Sequence, residues 1–245
     1  MDSGYYAAST ALVTSTQQMD TIANNLANAS TVGYRAERNV FSSVLADASN
    51  AGSSPLDKAI NSYGIASDTL LDQSQGALQK TGNDLDVAIQ GPGYFVVQTA
   101  NGPMYTRNGS FQVSAHGQLV TDTGDAVMSD KGTITMQPGH VSISADGTIS
   151  TNGAITGKIH IVEFPAGTKL ESAGNTYYAA PPNIAETATN SQARQGFLES
   201  SNVNPILGLV DLITTERSAE MMQRALSMFN SEIDKTATQD LPKVS

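Results

Sequence analysis

No cysteine and no tryptophan occur in the 245 residues. Without thiols there is no disulfide framework, no thiolate nucleophile and no cysteine-ligated metal site. Charge is scarce as well: Asp, Glu, Lys and Arg make up 15% of the chain, against about 25% in an ordinary soluble domain. What charge there is leans acidic, with 13 Lys and Arg against 23 Asp and Glu and a net charge of −10. Phosphate backbones and anionic lipid surfaces both require clustered Lys and Arg, and the first basic residue is Arg35. Nucleic acid and an anionic membrane are therefore excluded as expected partners. No run of about 18 apolar residues is present to cross a bilayer. The start, Met1-Asp2-Ser3-Gly4-Tyr5-Tyr6, lacks the basic and apolar regions of a secretory signal, so neither a transmembrane segment nor a signal peptide is expected.

Ala, Ser, Thr, Asn, Gln and Gly fill the space that charge leaves. Neutral polar surface costs less to desolvate than charged surface. A chain of this composition suits a subunit covered by neighbours better than a freely diffusing enzyme.

Three zones follow one another. In the first, Tyr5, Ala8, Leu12, Ser15, Met19, Ile22 and Leu26 recur at spacings of three and four, the a/d seam of a coiled coil with Ser15 its one polar member. The helix is expected to end near Asn28, where Asn28-Ala29-Ser30-Thr31-Val32-Gly33 supplies turn formers. The last zone mirrors the first. Asn204-Pro205 reads as an N-cap followed by proline in the first helical position. Gly208, Leu212, Thr215, Ala219, Met222, Leu226, Phe229 and Ile233 then repeat at four and three. The pattern is lost after Lys235, which predicts a frayed tail.

Between them the period changes. Gly102, Gly109, Gly117, Gly124, Gly132, Gly139 and Gly147 fall at gaps alternating seven and eight. Asn101-Gly102, Asn108-Gly109, Asp146-Gly147 and Asn152-Gly153 are turn dipeptides lying among short alternating segments, the strongest local hairpin signal. A longer strand is expected over Lys158 to Phe164. The fold class is mixed: an all-β central domain of short antiparallel strands, inserted between N- and C-terminal helices that can pair as a coiled coil. The expected boundaries are an N-terminal helix over 1–33, a connector over 34–79 and the all-β domain over 80–182. A return connector over 183–199 leads to the C-terminal helix over 200–245.

Chemistry is harder to find. His116, His140 and His160 lie in separate β segments without ligand spacing. Asp84 with Asp86, and Asp122 with Asp125, flank turns where Asp side chains bond local amides, and neither pair fits a calcium loop. Gln90-Gly91-Pro92-Gly93-Tyr94-Phe95 lacks the lysine of a phosphate loop and precedes a strand, so it reads as a turn. No catalytic, metal-binding or cofactor-binding residue is expected, and no small-molecule substrate. Met221, Met222 and Met228 read as helix packing before promiscuous binding.

One segment is distinctive as a whole. Ile22-Ala23-Asn24-Asn25-Leu26-Ala27-Asn28-Ala29-Ser30-Thr31-Val32-Gly33-Tyr34-Arg35 resembles the N-terminal signature of bacterial flagellar rod and hook proteins. Asp86 to Phe95, Tyr105-Thr106-Arg107-Asn108-Gly109-Ser110-Phe111, Gly117 to Thr121 and Gln195 to Pro205 resemble later family segments in the same order. Length and the Met-Asp-Ser-Gly start resemble the proximal rod type more than the distal type or the longer hook proteins. Thr215-Glu216-Arg217-Ser218-Ala219-Glu220 departs from the pattern in lacking an aromatic after the basic residue.

The resemblance implies a structural subunit of the basal-body rod, the drive shaft across the periplasm, exported by the flagellar type III apparatus without a cleaved signal. Its partners would be other copies of itself, neighbouring rod proteins and the export apparatus. The residues expected at assembly contacts are Tyr5, Leu12, Met19, Ile22, Asn24, Asn25, Leu26, Asn28, Gly33, Tyr34 and Arg35 on the N-terminal side. On the C-terminal side they are Asn202, Asn204, Leu212, Met222, Leu226, Phe229 and Ile233. A rival reading, a β-rich adhesin or carbohydrate-binding module with helical oligomerisation ends, requires an aromatic platform among Tyr94, Phe95, Tyr105, Tyr177 and Tyr178.

Overall fold

A computed structural model describes residues 2–43, 65–181, 184 and 190–235. Helix α1 runs Asp2–Ala27 and helix α2 runs Pro205–Lys235. Eighteen short strands lie between them among the described residues, and no closed barrel forms. The chain divides into two compact units. One contains Met1–Leu26, Arg38–Thr69 and Pro205–Ser245, the other Ala27–Glu37 and Leu70–Asn204.

The helical unit follows the heptads. On α1, Ala8 is buried and Tyr5, Leu12, Ser15, Met19, Ile22 and Leu26 are half-buried, while Val13, Thr16, Asp20 and Ala23 are exposed. On α2, Thr215 and Ala219 are buried; Gly208, Leu212, Met222, Leu226 and Phe229 are half-buried. Ile233 lies in α2 with its side chain outside the described set. Gly4 faces the Phe229 ring so closely that a Cβ there would sit 3.2 Å from Cζ. This contact brings the start of α1 to the end of α2, as an antiparallel arrangement of the two helices does. The proline that lacks an N–H opens α2, where an N–H donor would find no intrahelical acceptor. Strands β1 (Glu37–Ser43) and β2 (Ile65–Leu71) pair as a two-stranded sheet. The Asn39 amide donates to the Gln17 carbonyl at 3.0 Å and to Thr21 Oγ1 at 2.8 Å, fastening β1 to α1.

The β unit is organised differently. Its largest sheet orders β15 (Glu171–Gly174), β16 (Tyr177–Ala179), β6 (Gly102–Thr106), β5 (Tyr94–Thr99), β9 (Ala126–Ser129), β8 (Leu119–Val120) and β7 (Gln112–Val113). β10 (Gly132–Thr133) and β14 (Ile161–Val162) pair at the side, and β11 (Val141–Ile143), β12 (Thr148–Thr151) and β13 (Ala154–Lys158) form a separate meander. The core is closed: Val87, Ile89, Phe95, Val97, Val127 and Ile149 have no exposed surface.

Three details depart from expectation. The strand expected over Lys158 to Phe164 is split into β13 and β14 at Ile159 and His160. Asn108-Gly109 is not a hairpin turn; Gly109 is needed because a Cβ would overlap the Val87 carbonyl, which lies against it while Val87 N–H donates to Gly109 O at 3.0 Å. Third, β17 (Gln192–Gln195) and β18 (Phe197–Glu199) fall in the segment read as a return connector. They pair with β4 (Val87–Gln90) and β3 (Leu78–Lys80). Asn101-Gly102 and Asn152-Gly153 do turn hairpins, with Asn152 at φ 52° and Gly153 at 83°. The tail after Lys235 and all of residues 46–64 lie outside the described residues.

Candidate assembly surfaces and a buried joint

The signature that follows α1 does not end at the surface. Gly33, Tyr34 and Arg35 are buried in the β unit, Arg35 with 1% of its surface exposed. Gly33 adopts φ 70°, and a Cβ there would collide with the backbone of Arg107 and Asn108. Only glycine meets both demands at this position. Its N–H donates to the Glu199 carbonyl at 2.8 Å.

Arg35 then enters a three-residue ionic joint. Its Nη2 lies 2.8 Å from Glu199 Oε1, and Arg107 Nη1 lies 3.2 Å from Glu199 Oε2. All three side chains are 1% exposed. The carboxylate also accepts from Gly76 N–H at 2.8 Å. Arg35 Nη1 donates to Ser74 O, and Arg107 Nη2 donates to Gly91 O at 2.6 Å. The second positive charge rests on the face of Tyr94, 4.9 Å from the ring centroid, a favourable arrangement for a guanidinium. Burial pulls the Arg107 guanidinium below its ordinary pKa, and Glu199 opposes that pull. Burial raises the Tyr94 and Tyr178 phenols and takes Tyr34 up to about 12.

The surrounding hydrogen bonds tie the same three stretches together. Arg35 N–H donates to the Tyr178 hydroxyl at 2.9 Å. Asn202 Oδ1 accepts from Ala36 N–H at 2.7 Å, while its Nδ2 donates to the carbonyls of Asp72 and Ser74 at 2.9 and 3.0 Å. A carboxylate held between two arginines is kept ionised and poorly suited to take up a proton. The arrangement holds segments together.

The other expected residues sit apart from the joint. Tyr5, Leu12, Met19, Ile22, Leu26, Leu212, Met222, Leu226 and Phe229 line the half-buried seam, while Asn24 and Asn25 lie in the last turns of α1. Asn28 follows the helix end, its carbonyl accepting from Thr31 N–H at 3.1 Å and its Oδ1 from Thr31 Oγ1 at 3.2 Å. Asn204 directly precedes α2. Arg107 and Glu199 were not among the expected site residues. In a chain this poor in charge, one charged residue inside each of three motif segments was the available signal.

The remaining polar candidates resolve into structure. Asp125 accepts from the Tyr177 hydroxyl at 2.8 Å beside Thr121 and Thr123. Asp84 pairs with exposed His140 at 3.3 Å. No group of three or more potential ligands that could hold a metal occurs among the described residues. Tyr94, Phe95, Tyr177 and Tyr178 are buried, with Tyr105 half-buried against Phe164, so they form no sugar-stacking platform.

Comparison with known proteins agrees with these features. Three family models match: flagella basal body rod protein over residues 6–35, the flagellar hook protein FlgE/F/G D1 domain over 88–151, and the C-terminal model of flagellar basal body rod FlgEFG proteins over 194–239. The chain is 33% identical to flagellar basal-body rod protein FlgF of Caulobacter vibrioides, with all of both chains covered. This chain belongs to the flagellar basal-body rod protein family. It is also 33% identical to FlgF of Mesorhizobium japonicum over 90% of each chain. With flagellar basal-body rod protein FlgG of Buchnera aphidicola the identity is 32%, over 89% of this chain and 92% of the relative. The three family matches fall on the helical ends and the β core, and the joint draws one charged residue from each matched region, Arg35, Arg107 and Glu199. Among the described residues no helix is long and apolar enough to cross a membrane.

Proposed function

We infer that the chain is a structural subunit of the bacterial flagellar basal-body rod, incorporated through its terminal helices. Full-length similarity to rod proteins carries the reading. The contrast between a closed β core and half-covered helices supports it. Two helices of 26 and 31 residues reach about 39 and 46 Å at 1.5 Å per residue. Small or polar residues at Ala8, Ser15, Gly208, Thr215 and Ala219 weaken their seam, so each copy needs neighbours to finish burying it. Head-to-tail contacts whose rotation does not close build a tube. Torque then passes through packed helices, and the subunit occupies the periplasmic part of the basal body. Its partners are other copies and adjacent rod proteins, with the export apparatus as a transient one. Turnover of a substrate has no place in this role.

Leu26→Asp places a charge on the half-buried seam and is expected to abolish motility and rod incorporation while the β unit stays folded. Normal swimming by that variant would remove the helical-assembly reading. The proximal reading is favoured over the distal one by coverage of the whole FlgF relative from Caulobacter vibrioides. Complementation of strains lacking FlgF or FlgG separates the two: rescue of the second strain alone would reverse the assignment.

A further inference from the structure

Three Asn-Gly pairs occur in the chain, at 101–102, 108–109 and 152–153, and the fold restrains their side chains unequally. An asparagine before glycine is open to attack by the next backbone nitrogen, because glycine has no Cβ to hinder the approach. Asn108 is buried, its Oδ1 accepts from Ser110 N–H at 3.0 Å, and Gly109 lies against the Val87 carbonyl. Asn152 is exposed but tethered: its Oδ1 accepts from His140 N–H at 3.1 Å and its Nδ2 donates to the Pro138 carbonyl at 3.4 Å. Gly139 packs so closely on the same side chain that a Cβ there would overlap it. Asn101 has none of these restraints. It is exposed at the tip of the β5–β6 hairpin, where Thr99 pairs with Gly102. Thr99 Oγ1 accepts from Asn101 N–H at 3.2 Å and donates to Gly102 O at 2.9 Å, which holds the backbone of the turn. The Asn101 side chain makes no hydrogen bond to any described residue. A Cβ placed on Gly102 would meet nothing within 4 Å.

We propose that Asn101 is a self-modification site, at which the chain gains a negative charge by deamidation as it ages. The Gly102 nitrogen forms a bond to Asn101 Cγ, and the side-chain nitrogen leaves as ammonia with the proton that Gly102 gives up. Solvent water then opens the cyclic imide at one carbonyl or the other, leaving aspartate or isoaspartate. Water is the co-reactant, and no electrons are transferred. The isoaspartate product routes the backbone through the former side chain. That adds a carbon to the turn joining β5 and β6, two strands in the middle of the largest sheet. At Asn152 the two tethers must break before the side-chain carbonyl can meet Gly153, which slows that site by about tenfold. Asn108 reacts only when the β core around it opens.

Peptide mapping of the full-length chain, held folded in warm, mildly alkaline buffer, tests the proposal. Aspartate and isoaspartate are expected at Asn101 first, at about tenfold the rate of Asn152, with Asn108 unchanged. In denaturant the three sites are expected to react at similar rates, because each then has the same Asn-Gly chemistry and no fold to restrain it. Anion exchange resolves the folded product as a more acidic species, which Asn101→Ser is expected to remove. Equal rates at Asn101 and Asn152 in the folded chain would overturn the proposal. So would an Asn101 that reacts in denaturant but not in the folded chain, since the turn then protects it. An acidic species that persists in Asn101→Ser arises elsewhere and overturns it as well.

Discussion

The two units of this chain bury their side chains to different depths. The β unit closes its core, with Val87, Ile89, Phe95, Val97, Val127 and Ile149 fully enclosed, and it locks its edges with a buried ionic joint. In the helical unit only Ala8, Thr215 and Ala219 among the described seam side chains reach full burial, and the larger described ones stay half in water. Burial of apolar surface is worth about 25 cal/mol per Å², so a seam covered on one side gains a fraction of what a closed core gains. One region is finished by the chain alone; the other is finished by neighbours.

The largest effect is expected at the joint. Glu199→Ala leaves two buried guanidinium groups facing each other, and loss of one partner of a buried pair costs about 3–5 kcal/mol. Chemical denaturation of the full chain, followed by tyrosine fluorescence, measures it. A cost under about 1 kcal/mol, the range of an exposed pair, would show that the β unit does not depend on the joint. Gly33→Ala comes next. A non-glycine residue in the left-handed region costs about 1–3 kcal/mol, and the added Cβ must displace the Arg107–Asn108 backbone. The same denaturation curve is expected to show a loss at or above that range.

Alkaline pH probes the same side of the comparison. Tyr34 is raised from 10.0 to about 12, and Tyr94 and Tyr178 are raised by burial as well. Above pH 10 the unfolded chain releases these protons while the folded one keeps them, which favours unfolding. The stability held by the neutral phenols is thus complete below pH 10 and is lost as pH rises through about 12. After the less buried tyrosines have ionised, the remaining rise in tyrosinate absorbance is expected to coincide with loss of β-sheet circular dichroism. Ionisation of all eight tyrosines before unfolding would contradict burial of these rings.

The smallest effect on the free chain is expected in the helices. Leu12→Ala removes a half-buried side chain, about 1 kcal/mol from the intramolecular pair. Ile149→Ala, in the closed core, falls in the 2–5 kcal/mol range of full-size cavity mutants. Motility is expected to reverse the order of importance per kcal lost, with Leu12→Ala swimming poorly although the monomer is barely weakened. Equal stability losses for the two variants would erase the distinction between the units.

Much of this arrangement was legible in residue order. Heptad spacing located both helices and their seam, because helix periodicity is a local property. Asn-Gly and Asp-Gly pairs located hairpins at 101–102, 146–147 and 152–153. The same dipeptide misled at 108–109, where glycine serves the close approach of Val87 rather than a turn. β17 and β18 were missed because the strands they pair with lie more than 100 residues earlier, and no local pattern reports that. The joint was half visible. Arg35 stood out inside its motif, but the reading placed it at an assembly contact. Its partners are Ser74 and Glu199, and Glu199 in turn holds Gly76 and Arg107; only the fold brings those together.

Hydrogen–deuterium exchange on the free, full-length chain tests the central contrast most directly. Opening free energies differ across a structure with the completeness of local burial. The account predicts that amides of residues 8–26 and 208–229 exchange orders of magnitude faster than those of 87–97 and 119–162. It also predicts that residues 33–36 behave like the β strands they are tied to. Uniform protection across helices and strands would contradict it, and would mean that the helical pair is complete without its neighbours.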